Sequence, residues 1–279
     1  MNDLSKVLTT GAHGMMGSYI DFGIKTDRDS LDITDPRSIE DAFKEHAPTA
    51  VIHLAAYTDI EGCETNSEQA HMVNTIGTAY LTQAARKYGV KFIYVSTGGV
   101  FDGEKESPYI SDDLPNPKTV YGKSKYYGEC IVKSMLPDSI IARVCWVFGG
   151  GPEKDKNFFG KITKLLYSEK KATLNVTNDV VGSPTFAKDA IESLKGLIRK
   201  DAKGVFHLGN AGTATRFDVA RRMIATFGVS TDIQPVDFQF FNPKAPMGRN
   251  ESLLSEPVRT WEEAIDEYIQ TEWKEYVKH

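Results

Sequence analysis

Two side chains in the middle of the sequence have the types and spacing for proton transfer. Tyr121 and Lys125 stand four residues apart in Thr119-Val-Tyr-Gly-Lys-Ser-Lys125. On a helix that interval stacks both on one face, one turn apart. A free phenol ionises near ~10 and is a poor acid or base at neutral pH. A cation held beside it favours the phenolate and draws that value toward the working range. Ser124 and Gly128 share the stripe and are small, so something bulky is expected against it. A Tyr and a Lys at this spacing also occur by chance on solvated helices, and the surrounding elements must decide between the two readings.

Those elements alternate. Lys6-Val-Leu-Thr-Thr10 reads as a short buried strand running into Gly11-Ala-His-Gly14-Met-Met-Gly17. Glycines so spaced, after a strand and before a helix, permit a tight turn and close backbone approach to a pyrophosphate, and the helix N-terminus offers free N–H groups and a favourable dipole. The helix expected there is short, ending near Ile20. A second strand from Ile24 ends in Asp27 and Arg28. Asp27 lies sixteen residues past Gly11, close to where an acid accepts hydrogen bonds from an adenosine ribose. Arg28 can instead meet a 2′-phosphate, which leaves NAD and NADP both open. In Leu31-Asp-Ile-Thr-Asp-Pro36, Thr34 or Asp35 resembles a helix N-cap with Pro36 in the first turn. Asp32 either closes a preceding strand, facing an adenine, or forms a turn.

Ala50 to Ala56 is an apolar, β-rich run of the kind a parallel sheet buries on both faces, and His53 within it is expected to be a core histidine. Ser67 to Tyr88 carries Val73, Ile76, Tyr80, Leu81 and Ala84 at a helical period and holds Asn74. Lys91 to Thr97 is the next strand, ending in two hydroxyls. The helix of Tyr121 follows, then a strand from Ser139 to Phe148. This order predicts an α/β fold, a Rossmann-type doubly wound parallel sheet with right-handed crossovers. Ligands in such sheets sit at the carboxyl ends of the strands, where Gly11, Asp27, Ala55, Thr97 and Trp146 fall.

Beyond Gly149-Gly-Gly-Pro152 the alternation breaks. Helices near 156–169, 185–199 and 217–227 and strands at 172–176 and 204–208 are expected, and Gln234 to Asn250 reads as irregular. A last helix begins at the capping box Thr260-Trp-Glu-Glu263. The expected division is a dinucleotide-binding domain over residues 1–150, completed by parts of 177–210, and a smaller C-terminal substrate-binding region over 151–279.

Composition narrows the class. A net charge of -5, with no basic run, argues against nucleic acid or an anionic membrane as partner. No apolar stretch approaches the ~20 residues of a membrane span, and the N-terminus lacks a secretory apolar region. Cys63, Cys130 and Cys145 form no metal or redox motif, so a reducing cytoplasm is the expected location and no metal site is expected.

Taken in order, Thr10-Gly-Ala-His-Gly-Met-Met-Gly17, the strand end Ser96-Thr97 and the Tyr121/Lys125 pair resemble the extended short-chain dehydrogenase/reductase family. Leu31-Asp-Ile-Thr-Asp-Pro36, Ala55-Ala-Tyr-Thr58, Ser96 to Gly103, Cys145 to Gly149, Asn178 to Thr185 and Gly204 to Leu208 resemble, more narrowly, its dTDP-4-dehydrorhamnose reductase branch. That resemblance implies a catalytic Thr97, Tyr121 and Lys125. It implies NADPH or NADH lined by Gly11, Gly14, Met15, Met16, Gly17, Asp27, Arg28, Asp32, Ile33, Ala55, Ala56, Tyr57 and Asn74, together with Tyr121 and Lys125. The substrate would be a nucleotide-linked 4-keto-6-deoxysugar facing Thr97, Gly98 and Trp146, and the resemblance allows a homodimer. Tyr121 would donate the proton, Thr97 would orient the ketone, Lys125 would hold the nicotinamide ribose, and Asn74 would steady a water relay. Three departures bear on the substrate: Gly98-Gly99 replaces the usual Asp-Tyr that meets the sugar, the first helix is shortened, and Met15 replaces a Gln. Two alternatives remain within the same fold. One is an NAD-retaining sugar-nucleotide epimerase or dehydratase. The other is a catalytically silent regulatory subunit of the kind that accompanies methionine adenosyltransferase.

Overall fold

A computed structural model gives the fold and describes residues 3–256 and 259–274. The chain opens with β1 (Val7–Thr10), a single 3₁₀ turn (Met16–Tyr19) and β2 (Ile24–Lys25). It continues through α1 (Pro36–His46), β3 (Ala50–His53), α2 (Ile60–Thr65), α3 (Ser67–His71), a π-helical stretch (Met72–Gly77), α4 (Thr78–Tyr88) and β4 (Lys91–Thr97). Next are α5 (Val120–Met135), β5 (Ile140–Val144), β6 (Val147–Phe148), α6 (Gly151–Lys154), α7 (Phe158–Tyr167), β7 (Thr173–Thr177), β8 (Val181–Gly182) and β9 (Thr185–Phe186). The last part holds α8 (Ala187–Arg199), β10 (Gly204–His207), β11 (Ala214–Thr215), α9 (Arg216–Phe227), β12 (Asp232–Val236) and α10 (Trp261–Glu272).

Six strands form one wholly parallel sheet in the order β10-β5-β4-β3-β1-β2. Successive side chains of a strand point to opposite faces, and here both faces are apolar. Val7, Ala50, Ile52, Ile93, Val95 and Ile140 pack with Ala190, Ile191, Leu194 and Ile198 of α8. Leu8, Val51, Phe92, Tyr94 and Ile141 pack with Ile39 and Phe43 of α1, Leu81 and Ala85 of α4 and Val132 of α5. The Rossmann-type expectation therefore stands, with α8 and β10 supplied from late in the chain. A second core gathers α7, α9 and α10 around Phe148, Phe159, Phe186, Met223 and Tyr268. Among the described residues no helix is long and apolar enough to cross a membrane.

Several local expectations give way to specific contacts. The first helix shrinks to four residues of 3₁₀ turn, so it carries little macrodipole. No strand leads to Asp32. Its carboxylate caps Thr34 through the backbone N–H (2.8 Å) and the hydroxyl (2.7 Å), while Leu31 and Ile33 turn into the core. Asp35, one of the two proposed caps, accepts from Arg37 N with Pro36 in the first turn. The continuous helix expected over 67–88 widens to π geometry at 72–77, where Thr75 Oγ1 donates to Ser124 O and Asn74 turns inward to α5. The strand expected over 139–148 breaks at Trp146, which has φ 42°, a left-handed conformation that cannot continue a ladder.

One buried ion pair ties α5 to the sheet. Arg143 on β5 donates from Nε and Nη2 to the two carboxylate oxygens of Glu129 on α5 at 2.9 and 2.7 Å, with both side chains essentially out of solvent. Removing one partner leaves an uncompensated buried charge. Glu129→Ala is therefore expected to cost ~3–5 kcal/mol in denaturant unfolding; a change indistinguishable from that of an exposed-site variant would contradict it.

Candidate active site

The first turn of α5 is seated by its caps. Thr119 Oγ1 accepts from Gly122 N at 3.0 Å, and Glu64 accepts from Val120 N at 2.7 Å, which satisfies two of the helix's free N–H groups. A side chain on Gly122 would collide with the carbonyl of Gly99, its Cβ only 2.1 Å from that oxygen. Glycine here lets the helix close onto the turn after β4, which brings the Tyr121 ring and the Thr97 hydroxyl to within 3.9 and 3.5 Å of where a Cβ on Gly99 would be. Thr97 Oγ1 also accepts from Gly99 N at 3.1 Å, which fixes its rotamer.

Lys125 lies one turn on, buried, with its ammonium 4.2 Å from the centre of the Tyr94 ring and no protein hydrogen bond among the described residues. Burial lowers it to about 7, against the opposing pull of Glu129. Burial likewise pushes Tyr121 up to about 12, opposed by its bond to Thr97. This corrects the electrostatics expected from spacing alone. Desolvation of the ring is the largest influence on the phenol's acidity and outweighs its neighbours. What lies against the small residues of the stripe is protein. A Cβ at Gly128 would sit 2.4 Å from the Tyr94 hydroxyl. Asn74 Nδ2 donates to Ser124 Oγ (2.9 Å) and to Tyr57 O (2.9 Å), while its Oδ1 accepts from Tyr57 N (2.8 Å). The Asn74 side chain is thus a strut between Tyr57 and α5.

At the other end of the cleft, Gly11 has φ 67° and its Cβ would stand 2.8 Å from the backbone of Ala55, so the ends of β1 and β3 touch main chain to main chain. Gly17 likewise abuts Ala12, and Gly14 N closes a turn onto Gly11 O at 3.0 Å. The amides of Met15 and Met16 reach no protein acceptor among the described residues. An anion there would be held by those N–H groups, since the dipole of so short a turn is small. Asp27 Oδ1 accepts from Asp29 N, Ser30 N and Ser30 Oγ, and its other oxygen meets His13 Nδ1 at 2.7 Å. Arg28 extends into solvent, 3.9 Å from Asp32. Ala55 and Ala56 lead from β3 to Tyr57. Ile33 packs its side chain into the core and leaves its backbone to face a ligand. Free amides, an acid at the end of β2 and a buried ammonium seeking acceptors fit a dinucleotide.

A third group joins Trp146 and Gly98, which the sequence pointed to, with Glu251 and Arg216, which it did not. Trp146 Nε1 donates to Glu251 Oε2 at 2.6 Å, and its indole fits where Gly182 lacks a side chain. Arg216 stacks on that indole (4.3 Å) and on Phe158 (4.8 Å). Burial raises the Glu251 carboxyl above the ordinary range, opposed by the Trp146 bond and by Arg216, and among the described ion pairs none joins the two charges. Gly98 is buried beneath this segment, with Glu251 O 2.9 Å from where its Cβ would be. Glu251 stands just past an irregular run with no period to expose it. Arg216 had a signal: a cation at the first position of α9 opposes the helix dipole, which points to a purpose other than helix stability.

The model of the family described as RmlD substrate binding domain matches residues 5–279. A spore coat polysaccharide biosynthesis protein, SpsK, of Bacillus subtilis (strain 168) is 32% identical, over 96% of this chain and 98% of that protein. The crystal structure of a dTDP-4-dehydrorhamnose reductase from Clostridium acetobutylicum superposes with a TM-score of 0.90 at 31% identity, covering 95% of this chain and 98% of the other. That of Bacillus anthracis dTDP-4-dehydrorhamnose reductase in complex with NADP gives 0.89 at 27%, with the same coverage.

Lys125 makes a stability prediction with a definite sign. Its folded value near 7 lies below the ~10.4 of an unfolded lysine, so between those values the unfolded chain holds the extra proton and stability rises with pH. Below pH ~7 the cost of charging the buried amine is fully present. Lys125→Met, without coenzyme, should therefore exceed the wild type in stability at pH 6–7, by a margin that fades toward pH ~10. Denaturant midpoints measured across that range check it; parallel profiles would show that the amine is not desolvated.

Proposed function

The chain belongs to the RmlD substrate-binding-domain family, and from that premise we propose that it reduces the ketone of a nucleotide-linked 4-keto-6-deoxysugar with NADPH or NADH. The observation that carries the reading is the placement of Thr97 and Tyr121 together at the carboxyl end of β4, the Thr97 hydroxyl and the Tyr121 ring lying 3.5 and 3.9 Å from where a Cβ on Gly99 would be, with the buried Lys125 one helical turn away. The names of the reductase relatives support the substrate class, and the NADP complex of one of them supports the coenzyme.

When bound, the nicotinamide supplies the hydride. The chain's own residues handle the oxygen and its proton. Burial keeps the Tyr121 phenol protonated at neutral pH, which is the state a reductase needs, because the alkoxide formed from the ketone is far more basic than a phenolate. Thr97 donates a second hydrogen bond to the same oxygen and orients it, at no cost of reorganisation because Gly99 already fixes its rotamer. Lys125 finds in the ribose hydroxyls the acceptors it lacks in the free protein, and its charge opposes that of the phenolate left on Tyr121. The Met15 and Met16 amides hold the pyrophosphate, with Gly11, Gly14 and Gly17 permitting the approach. Asp27 receives the adenosine ribose by exchanging His13 for a hydroxyl, while the exposed Arg28 suits a 2′-phosphate.

Tyr121→Phe should lower kcat by ~10²–10⁴-fold and leave NADPH affinity within about a factor of two, since the hydroxyl acts on the ketone. Consumption of NADPH with a nucleotide-linked 4-keto-6-deoxysugar, beside coenzyme titration, measures both. Wild-type turnover in the Phe variant would remove the assignment.

A further inference from the structure

The two side chains expected to meet the sugar directly after Thr97 are absent, since Gly98-Gly99 stands there. A missing acid at 98 need not mean a missing carboxylate. The strand-like segment 250–253 crosses over Gly98 so closely that a Cβ at 98 would lie 2.9 Å from Glu251 O and 3.3 Å from Leu253 Cδ2. Any side chain at 98 and this course of the backbone exclude each other. The segment is also rigidly held. Glu251 N donates to Val181 O at 2.8 Å and Leu253 N to Ser183 Oγ at 3.0 Å. Asn250 Nδ2 donates to Lys105 O and Ser107 O, at 2.7 and 3.0 Å.

On this fixed support the Glu251 carboxylate turns inward. One oxygen accepts from Trp146 Nε1 at 2.6 Å; the other has no protein donor among the described residues. Gly98, over which Glu251 packs, directly follows Thr97, and Glu251 lines one small cavity with Gly99 and Thr119, the residues that flank Thr97 and Tyr121; Arg216 stacks on the Trp146 indole at 4.3 Å. A carboxylate with an unfilled acceptor, held at the turn that follows Thr97, suits a hydroxyl on the ring carbon next to the ketone.

We propose that Glu251 is a specificity-determining residue, delivered from the C-terminal segment into the space left by Gly98, that accepts a hydrogen bond from the sugar hydroxyl adjacent to the ketone. The inference rests on the reductase reading above. It narrows the substrate to 4-keto sugars that keep their 3-hydroxyl. Trp146 is the positioning residue, since its N–H fixes the carboxylate rotamer.

The test compares wild type, Glu251→Gln and Glu251→Ala on a nucleotide-linked 4-keto-6-deoxysugar and its 3-deoxy analogue. Coenzyme affinity and thermal unfolding are followed in parallel. A hydrogen bond to a charged group sets the scale, about 10–100-fold. Wild type should favour the 3-hydroxy substrate by that factor in kcat/KM, and the Ala variant should lose the preference with unchanged NADPH affinity. The Gln variant keeps shape and an acceptor for Trp146, so it should fold normally and show an intermediate preference. Undiminished discrimination in either well-folded variant would overturn the proposal. If wild type turns over neither compound, the reductase reading fails, and equilibrium binding of the two nucleotide sugars to the three proteins still decides the role of Glu251. Equal binding ratios across the three would overturn it.

Discussion

The structure depends on burying one polar stripe of a single helix. Tyr121, Lys125 and Glu129 succeed each other at four-residue steps on α5, and that face lies against the middle of the parallel sheet. Burying a phenol, an ammonium and a carboxylate together is unfavourable unless each finds a partner. Arg143 on β5 neutralises Glu129 with a two-pronged contact and stacks on Phe101. Glu129 supports the charge of Lys125, Tyr94 offers it a ring face, and Thr97 takes the phenol. Glycine at 122 and 128 lets the helix come close enough for these contacts to form. The reactive end and the structural end of the stripe are thus one continuous electrostatic problem, solved at its deep end by an ion pair and left open at its shallow end. Lys125 is the residue without a protein acceptor, and a ligand offering hydroxyls there stabilises the folded state by binding it selectively.

Much of the sheet was legible because its strands are local. Val7–Thr10, Ala50–His53, Lys91–Thr97 and Gly204–His207 are short apolar runs that only a doubly covered sheet would bury, and the caps at Asp35 and Thr260 are written within three residues of what they hold. What escaped reading depends on partners distant in the chain. The π-turn at 72–77 exists because Asn74 and Thr75 reach α5 some fifty residues on, and the break at Trp146 follows from a bond to a carboxylate more than a hundred residues away. The candidate site divides along the same line. The Tyr121/Lys125 pair is visible as spacing, whereas the electrostatic environment of the two is not, because spacing carries no information about burial. Glu251 leaves no periodic trace, since it sits on irregular chain shaped by Asn250 and Ser183.

On the proposed reading, hydride chemistry and sugar recognition belong to different parts of the molecule. The sheet and α5 carry Thr97, Tyr121 and Lys125, while α9, the turn at Trp146 and the segment at 250–253 carry Arg216, Trp146 and Glu251. Such a division lets one scaffold serve many substrates, since the second set can vary while Thr97, Tyr121 and Lys125 stay in place. The pairing of Gly98 with a close-lying Glu251 backbone illustrates the constraint, because neither position can change to a bulkier course alone.

The hydroxyl of Tyr19 ends the 3₁₀ turn behind the glycine loop; it accepts from Gly150 N at 2.7 Å and donates to Glu272 at 2.6 Å, in the final turn of α10. Two elements 253 residues apart thus close one loop. A pairing so distant in sequence is slow to form, so the crevice behind Met15 and Met16 gains its backing only once α10 has docked.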